Sequence, residues 1–221
     1  MATQNSINKS TESLTVNPSS GDSYIQHSVA GVSKWRTGND STDDSYRIST
    51  STLGSSDSLI MTSSGERTLP LQPAFLAYLT SAKTNVTGDG TAYDVIDYTE
   101  IFDQGNDFNT VNGNFIAPIS GRYLLSFIVT YTSISASNTA GNLSSIQTSN
   151  RIYYSMLLNY AAIRDSASNR VSLSFSTMAD LDAGDGSLVR LIVTGGTKTV
   201  GLFNGSSSAD PRVVFSGSLI C

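Results

Sequence analysis

The chain has 221 residues, of which only 14% are Asp, Glu, Lys or Arg, and its formal net charge is −5 with a pI near 4.7. A nucleic-acid-binding protein normally carries a basic surface that neutralises phosphates, so this composition excludes that class. The only cysteine, Cys221, allows no intrachain disulfide, although its role is open. No apolar run reaches the roughly 18 residues that a membrane span needs, and the absence of a secretory signal favours synthesis in a cytoplasm.

In the first half, from Met1 to about Leu71, apolar residues are sparse and come in short groups between turn residues. The groups are Tyr24–Ile25, Val29–Trp35, Tyr46–Ile48 and Leu59–Met61. Ser, Thr, Asn and Gly between them favour turns over helix, so these groups predict short strands. Apolar burial within such a segment offsets little of the entropy lost when the segment becomes ordered. The segment is therefore either disordered or associated with identical neighbours, and we favour association.

An ordered series of residue types runs through this half. Lys34–Asp40 contains a basic, an aromatic and a second basic residue, followed by a glycine and an aspartate. Asp43–Ile48 has the sequence Asp-Asp-Ser-Tyr-Arg-Ile, and an apolar strand that ends at Gly65 follows it. The series resembles the β-rich shaft repeats of bacteriophage tail fibres, in which three chains pair and cover one another's strand edges. The resemblance implies a trimeric β-rich shaft over residues 30–72 and a segment 1–29 that anchors to other virion structural proteins.

After Pro73 the side chains alternate between two faces, as strands require. In Val171–Thr177, apolar residues alternate with serines, which predicts a strand with one solvent-exposed face. In Tyr123–Tyr131 both faces are apolar, and the strand needs cover on both sides. We therefore predict that this strand lies in a trimer interface formed by Tyr123, Leu124, Phe127, Ile128 and Tyr131.

The rest of the second half adds more short strands and no convincing helix. The further predicted strands are Phe75–Leu79, Asn114–Ala117, Ile152–Leu158, Leu188–Thr194, Thr199–Phe203 and Arg212–Ile220. This pattern predicts an all-β sandwich or jelly roll.

Four segments carry a second resemblance. They are Pro73–Leu79, Phe108–Phe127 with its Pro-x-x-Gly turn at Pro118, Ala183–Leu191 with Gly186 and Ser187 widening its turn, and the closing Phe215–Ile220. In this order they resemble the C1q/TNF-like family over residues 73–221. The resemblance implies a jelly-roll sandwich that assembles as a homotrimer, but it fixes no ligand.

Catalytic chemistry finds no support in the sequence. His27 is the only histidine, and neither a Gly-x-Ser-x-Gly elbow nor a P-loop is present, so we expect no enzyme and no catalytic residue. Acidic residues gather around Asp40, Asp103 and Asp180. Short acidic side chains usually cap turns, so we expect no cofactor and no metal ligand, with calcium as the open alternative.

Two polar stretches without a strand pattern, residues 135–150 and 204–211, predict loops, and binding residues concentrate on loops held by a rigid scaffold. The candidate receptor contacts are Ser135, Asn138, Asn142, Ser145, Gln147, Asn204, Ser206 and Asp210. An ordinary variable surface loop is the competing interpretation.

Together the two resemblances predict a trimeric fibre or spike on the virion surface of a bacteriophage, whose C1q-like knob attaches to a host cell-surface receptor, with a glycan as one candidate. A capsid head fibre or decoration protein is the first alternative. A free C1q/TNF-like ligand or lectin is the second.

Overall fold

The computed structural model describes residues 16–204 and 209–221, which separate into two compact units between Gln72 and Pro73. Nearly all of the regular structure is β-strand, which confirms the predicted all-β class. In the described part of the chain, no helix has the length and apolar character to cross a bilayer.

The N-terminal unit contains one five-stranded antiparallel sheet, here called the N-terminal sheet, in which each strand pairs with the next along the chain. Its strands are β1 Ser23–Val29, β2 Val32–Asn39, β3 Tyr46–Ser49, β4 Asp57–Met61 and β5 Arg67–Thr68. The boundary predicted at residue 29 is wrong, because β1 belongs to this sheet and turns into β2 at Ala30 and Gly31, which have φ of 50° and 78°. The first 15 residues of the predicted anchor lie outside the described residues.

A buried arginine ties the loop between β2 and β3 to the start of β4. The Arg47 side chain is 11% exposed, and its guanidinium lies 2.6 Å from Asp57 Oδ2, 2.6 Å from Asp43 Oδ2 and 3.2 Å from Asp40 Oδ2. Among the described residues of this unit, Leu53 is the only large apolar side chain that is fully buried. Polar contacts, rather than an apolar core, therefore organise this face.

Hydrogen bonds lower the pKa of two of the acids around Arg47. The hydroxyl and the backbone N–H of Thr42 donate to Asp40, and those of Ser45 donate to Asp43, so each carboxyl has a pKa below its ordinary value. The positive charge of Arg47 acts in the same direction. The hydrogen bond to Asp57 raises the pKa of Arg47 itself.

The C-terminal unit is a sandwich of two antiparallel sheets. Its elements are β6 Ala74–Tyr78, β7 Lys83–Thr87, β8 Ala92–Asp94, β9 Thr99–Asp103, β10 Phe108–Asn109, β11 Asn114–Ile116, β12 Gly121–Thr132, β13 Leu143–Thr148, β14 Ile152–Tyr154, α1 Tyr160–Ile163, β15 Val171–Leu181, β16 Gly186–Ile192, β17 Val200–Leu202 and β18 Val213–Leu219. The seven-stranded sheet runs β7-β17-β12-β18-β6-β9 with β15 on the other side of β12, and the six-stranded sheet runs β10-β11-β16-β13-β14 with β8 also on β16.

Aromatic rings fill the space between these two sheets. The Phe75 ring stacks on Phe108 and Phe115 at centroid distances of 4.7 and 4.8 Å and meets Phe215 edge-on at 5.0 Å. Gly217 faces the same cluster, and a Cβ at this position would lie 2.5 Å from the Phe75 ring and 2.8 Å from Leu125 Cδ2. In the closing Phe-Ser-Gly sequence, Phe215 therefore places its ring in the core, and Gly217 leaves room for the Phe75 ring.

Two details of the predicted strands are wrong. The strand predicted over Ile152–Leu158 ends at Tyr154, because the chain turns into α1, whose N-cap is Asn159. Gly186 and Ser187, predicted to widen a turn, instead begin β16, where Ser187 pairs with Phe115.

We predict that Arg47→Ala destabilises the N-terminal unit. Removing one partner of a buried ion pair costs about 3–5 kcal/mol, and screening at the half-exposed Asp43 reduces the expected loss to about 2 kcal/mol. Trp35, the only tryptophan, lies in this unit and reports its unfolding in urea. Lys34→Ala, which removes an exposed cation of the same sheet, is the control. Equal urea midpoints for the two variants would contradict the role of Arg47.

We also predict that the N-terminal unit is acid-sensitive. A carboxyl whose pKa is lower in the folded state stabilises the fold above its unfolded pKa, about 3.9 for Asp, and this stability is lost as the pH falls through the folded-state pKa. The urea midpoint followed by Trp35 should therefore drop between neutral pH and pH values below about 4. Asp40→Asn should reduce this pH dependence. An unchanged dependence in that variant would assign the acid sensitivity to other groups.

Candidate functional site

Residues 135–150, predicted as an exposed polar loop, are partly strand and partly core. Leu143–Thr148 forms β13, which pairs with β16 on one side and β14 on the other. Three of the candidate receptor contacts there, Asn138, Asn142 and Ser145, are only 1%, 0% and 2% exposed. The predicted loop and the accessibility of these three side chains are wrong, because polar residues that satisfy buried backbone groups have the same composition as a surface loop.

The two buried asparagines hold chain segments together. The Asn142 amide donates to the carbonyls of Asn138 and Leu158, both at 3.1 Å, and its oxygen accepts from the Thr194 N–H at 3.0 Å. The Asn138 amide donates to the Thr194 carbonyl at 2.7 Å, and its oxygen accepts from the Ser135 N–H at 2.8 Å. Their hydrogen-bonding groups are occupied within the chain, which makes their role structural.

The other candidate contacts are half-buried and also have partners within the chain. Ser135 donates to Asn138 at 2.9 Å, Gln147 accepts from Arg190 at 3.0 Å, and Asn204 donates to the Thr80 carbonyl at 2.6 Å. Asp210 accepts from Arg212 at 3.0 Å. Ser206 lies outside the described residues. These positions keep an exposed fraction, and receptor contact there stays a prediction.

The predicted trimer interface on β12 divides between the core and the surface. Tyr123, Phe127 and Tyr131 are 0%, 1% and 0% exposed within one protomer, so their predicted interface role is wrong. The Tyr131 hydroxyl lies 2.7 Å from the Ser144 hydroxyl, and burial raises the Tyr131 pKa well above its ordinary value. Leu124 and Ile128, on the opposite side of the strand, are 42% and 45% exposed.

Leu124 and Ile128 belong to a larger apolar surface, here called the Leu124 face, on the outward side of the seven-stranded sheet. Register places on it the apolar residues Ala74, Leu76, Phe102, Leu124, Ile128, Met178 and Val214. Ser126 pairs with both Ser176 and Ser216, so small serines run across the middle of this face. Depressions of about 320 and 390 Å³ adjoin the serine row and could receive side chains from outside.

A second apolar surface, here called the β14–β15 edge, lies where the sandwich is open. β14 is the last strand of its sheet, and β15 pairs only with β12, so both strands have a free edge. The side chains exposed along β14, the segment that follows it and α1 are Ile152, Tyr154, Met156, Leu157 and Ile163. Three side chains near this edge, Tyr153, Leu173 and Phe175, pack on the core only partly buried.

In the C-terminal unit, the predicted acidic groups contain residues that cap turns. Asp103 Oδ2 accepts from the Phe108 N–H at 2.9 Å, and Asp185 Oδ2 accepts from the Asp182 N–H at 2.9 Å. Over residues 16–204 and 209–221, no group of three or more His, Cys, Asp or Glu side chains is arranged to hold a metal ion. His27 is an exposed residue of β1.

We predict that Asn142→Ala destabilises the C-terminal unit by about 3 kcal/mol, because each buried backbone group left without its partner costs about 1–3 kcal/mol. The measurement is the midpoint of thermal unfolding followed by circular dichroism. Ser137→Ala, an exposed change in the same segment, should leave the midpoint unchanged. A stable Asn142→Ala variant would reopen this asparagine as a surface contact.

The comparisons with known proteins concern the C-terminal unit. The family model described as the C1q domain matches residues 74–220. No curated protein matches the chain significantly.

Similar solved structures cover the same unit. The globular domain of zebrafish complement 1qA protein is 17% identical, with a TM-score of 0.43, and the likeness covers 68% of this chain and 98% of that one. Murine APRIL at pH 8.0 is 14% identical, with a TM-score of 0.43, covering 67% and 99% of the two chains. Murine APRIL at pH 5.0 is 12% identical, with a TM-score of 0.44 and the same coverage. By the family match over residues 74–220, this chain belongs to the C1q domain family.

Proposed function

We propose that this chain is a homotrimeric virion fibre of a bacteriophage and that its C1q domain contacts the host cell surface. The observation that carries the trimer is the Leu124 face. A sheet face with Leu124, Ile128, Phe102 and Met178 each at least 42% exposed is larger and more apolar than isolated surface residues explain, and such patches mark protein contacts.

The β14–β15 edge supplies a matching surface for the Leu124 face. Met156 and Leu157, which are 72% and 69% exposed, protrude from the open side of the sandwich. When a patch on one protomer fits a different patch on the next, the contact is heterologous, and it closes into a ring of three when successive protomers are related by a rotation of a third of a turn. Three protomers arranged in this way cover both apolar surfaces and both free strand edges. Homotrimeric assembly is also what the resemblance to the C1q/TNF-like family implies.

The virion location rests on the shaft-like series of the N-terminal unit. Asp40 and Asp43 of that series contact Arg47 together with Asp57, so the series has a physical role in fixing the loop between β2 and β3. This role is compatible with a shaft repeat. In the proposal, residues ahead of the sheet attach the chain to other virion structural proteins.

A trimer presents three identical copies of any contact site, which raises avidity on a surface that carries repeated ligands. Ser135, Gln147, Asn204 and Asp210 are the described candidates for that contact, since each keeps an exposed fraction. Surface glycans of the host cell are a repeated ligand that fits this arrangement.

The location is tested by electron microscopy of intact particles with gold-labelled antibody against residues 73–221. Label at the tail supports an attachment fibre, whereas label over the capsid supports a head fibre or decoration protein instead. Particles without label overturn the virion proposal and favour a free C1q-like ligand or lectin.

We predict that Leu124→Asp separates the protomers, because the contact would then bury a carboxylate without a partner. In sedimentation velocity the wild-type chain should have three times its mass of 23.4 kDa, and the variant should have the mass of one chain. Val111→Asp places the same charge at a residue that is 71% exposed and lies off this face, and it should remain trimeric. A trimeric Leu124→Asp variant would exclude the Leu124 face as the interface.

A further inference from the structure

The two faces of the N-terminal sheet differ in what covers them. On one face, Arg47 is contacted by Asp40 and Asp43 of the loop between β2 and β3 and by Asp57, the first residue of β4. The opposite face, here called the Trp35 face, receives alternate residues of the same strands. Its large apolar side chains are Ile25, Trp35, Tyr46, Ile48, Leu59 and Met61. Of these, Ile25, Trp35 and Tyr46 are 44%, 42% and 39% exposed.

A sheet with one apolar face uncovered lacks the second layer that a stable domain requires. The 15 residues outside the described structure at the N-terminus are a poor source of that layer, because their large apolar residues are only Met1, Ile7 and Leu14. Register places Arg67 on the Trp35 face, opposite Met61 at the edge of the sheet, and no acidic residue of the five strands lies there. Away from that edge the large side chains of the face are mostly apolar, so the same face of another copy is a partner of matching chemistry.

We propose that the Trp35 face is an interface between copies of this chain, in which the N-terminal sheets of three protomers pack with their Trp35 faces turned toward a common axis. Each sheet then supplies the missing layer for the others. The proposal rests on the trimer of the C1q domain and deepens it, because it assigns a second and separate contact between the same three chains.

The size of the Trp35 face suits a contact that forms between chains already joined by their C1q domains. Five strands spaced about 4.8 Å apart and about five residues long at 3.3 Å each give a face of roughly 400 Å² in projection. A stable interface between separate proteins buries about 800 Å² on each partner. A contact of this size contributes most between chains that are already joined, whose effective concentration for one another is on the order of millimolar.

Trp35 makes this proposal measurable, because it is the only tryptophan and lies on the face itself. Fluorescence of the full chain is recorded with increasing acrylamide, for the wild type and for the Leu124→Asp variant. The expected result is a severalfold smaller quenching constant and a blue-shifted emission in the wild type. We expect the Leu124→Asp variant to be a single chain in which Trp35 is exposed and readily quenched.

A matched pair of substitutions in β1 separates the two faces. Ile25 lies on the Trp35 face, while its neighbour Gln26 lies on the opposite face, and both are exposed within the protomer. Ile25→Asp should raise the quenching of Trp35 to the level of the Leu124→Asp variant while the chain remains trimeric in sedimentation. Gln26→Asp should leave the quenching at the wild-type level.

The outcomes distinguish this proposal from the trimer on which it rests. A wild-type chain that sediments as a trimer but has a freely quenched Trp35 overturns the Trp35 interface and leaves the C1q trimer standing. Trp35 that is equally protected in the single-chain Leu124→Asp variant also overturns it, because the cover then comes from the same chain. A wild-type chain that sediments as a monomer overturns the trimer itself.

Discussion

Successive side chains of a β-strand point to opposite faces of its sheet, and each face needs its own cover when it is apolar. This constraint decides how both units of the chain are organised. In the C-terminal unit, the inward face of β12 is covered by the six-stranded sheet, while Leu124 and Ile128 on its outward face have no cover within the protomer. In the N-terminal unit, Arg47 and its acidic partners lie on one face, and large apolar side chains of the Trp35 face are partly exposed. In the proposed assembly, another copy of the chain covers each of these apolar faces.

In the proposed trimer, the Leu124 face and the Trp35 face have different roles. The Leu124 face and the β14–β15 edge belong to a domain with its own aromatic core, so this contact can join protomers that are already folded. The N-terminal sheet has almost no apolar core of its own, and its Trp35 face contributes mainly after the chains have been joined. In the proposed order of assembly, the C1q domain sets the number of chains and the N-terminal unit follows. A chain that displays three copies of its surface in this way is suited to binding a repetitive target.

The sequence predicted the C-terminal fold well, since its signals are local and physical. Alternation identified β12 and β15, and apolar residues occur on both sides of β12, where Leu124 and Ile128 are partly exposed within the protomer. The pattern could not say which side faces the protomer's own core, and Tyr123 and Tyr131 were therefore assigned to the interface by mistake. Short polar strands were missed as well. β7, with the sequence KTNVT, and β13, with LSSIQT, lack the alternation that would distinguish them from loops.

The candidate receptor contacts were harder to predict for a related reason. Asn138 and Asn142 are polar residues in a segment without helix or strand pattern, and such a segment is usually exposed. Their burial depends on backbone groups of Thr194 and Leu158, which are distant in sequence and become neighbours only in the folded sandwich. The Arg47 cluster has the same character, because Asp40, Asp43 and Asp57 converge only after β2, β3 and β4 have paired. Polar networks of this kind leave no periodic signal in the sequence.

The central claim is that the Leu124 face and the β14–β15 edge are covered by neighbouring copies of the chain. Two methionines report on these surfaces directly, since Met178 and Met156 are 55% and 72% exposed within one protomer. The measurement is hydrogen-peroxide oxidation of the native full chain, with the rate at each methionine read by peptide mass spectrometry. The account predicts that both methionines oxidise much more slowly in the wild type than in the Leu124→Asp variant. Equal and fast oxidation in the two proteins would contradict it, because both surfaces would then be open to solvent.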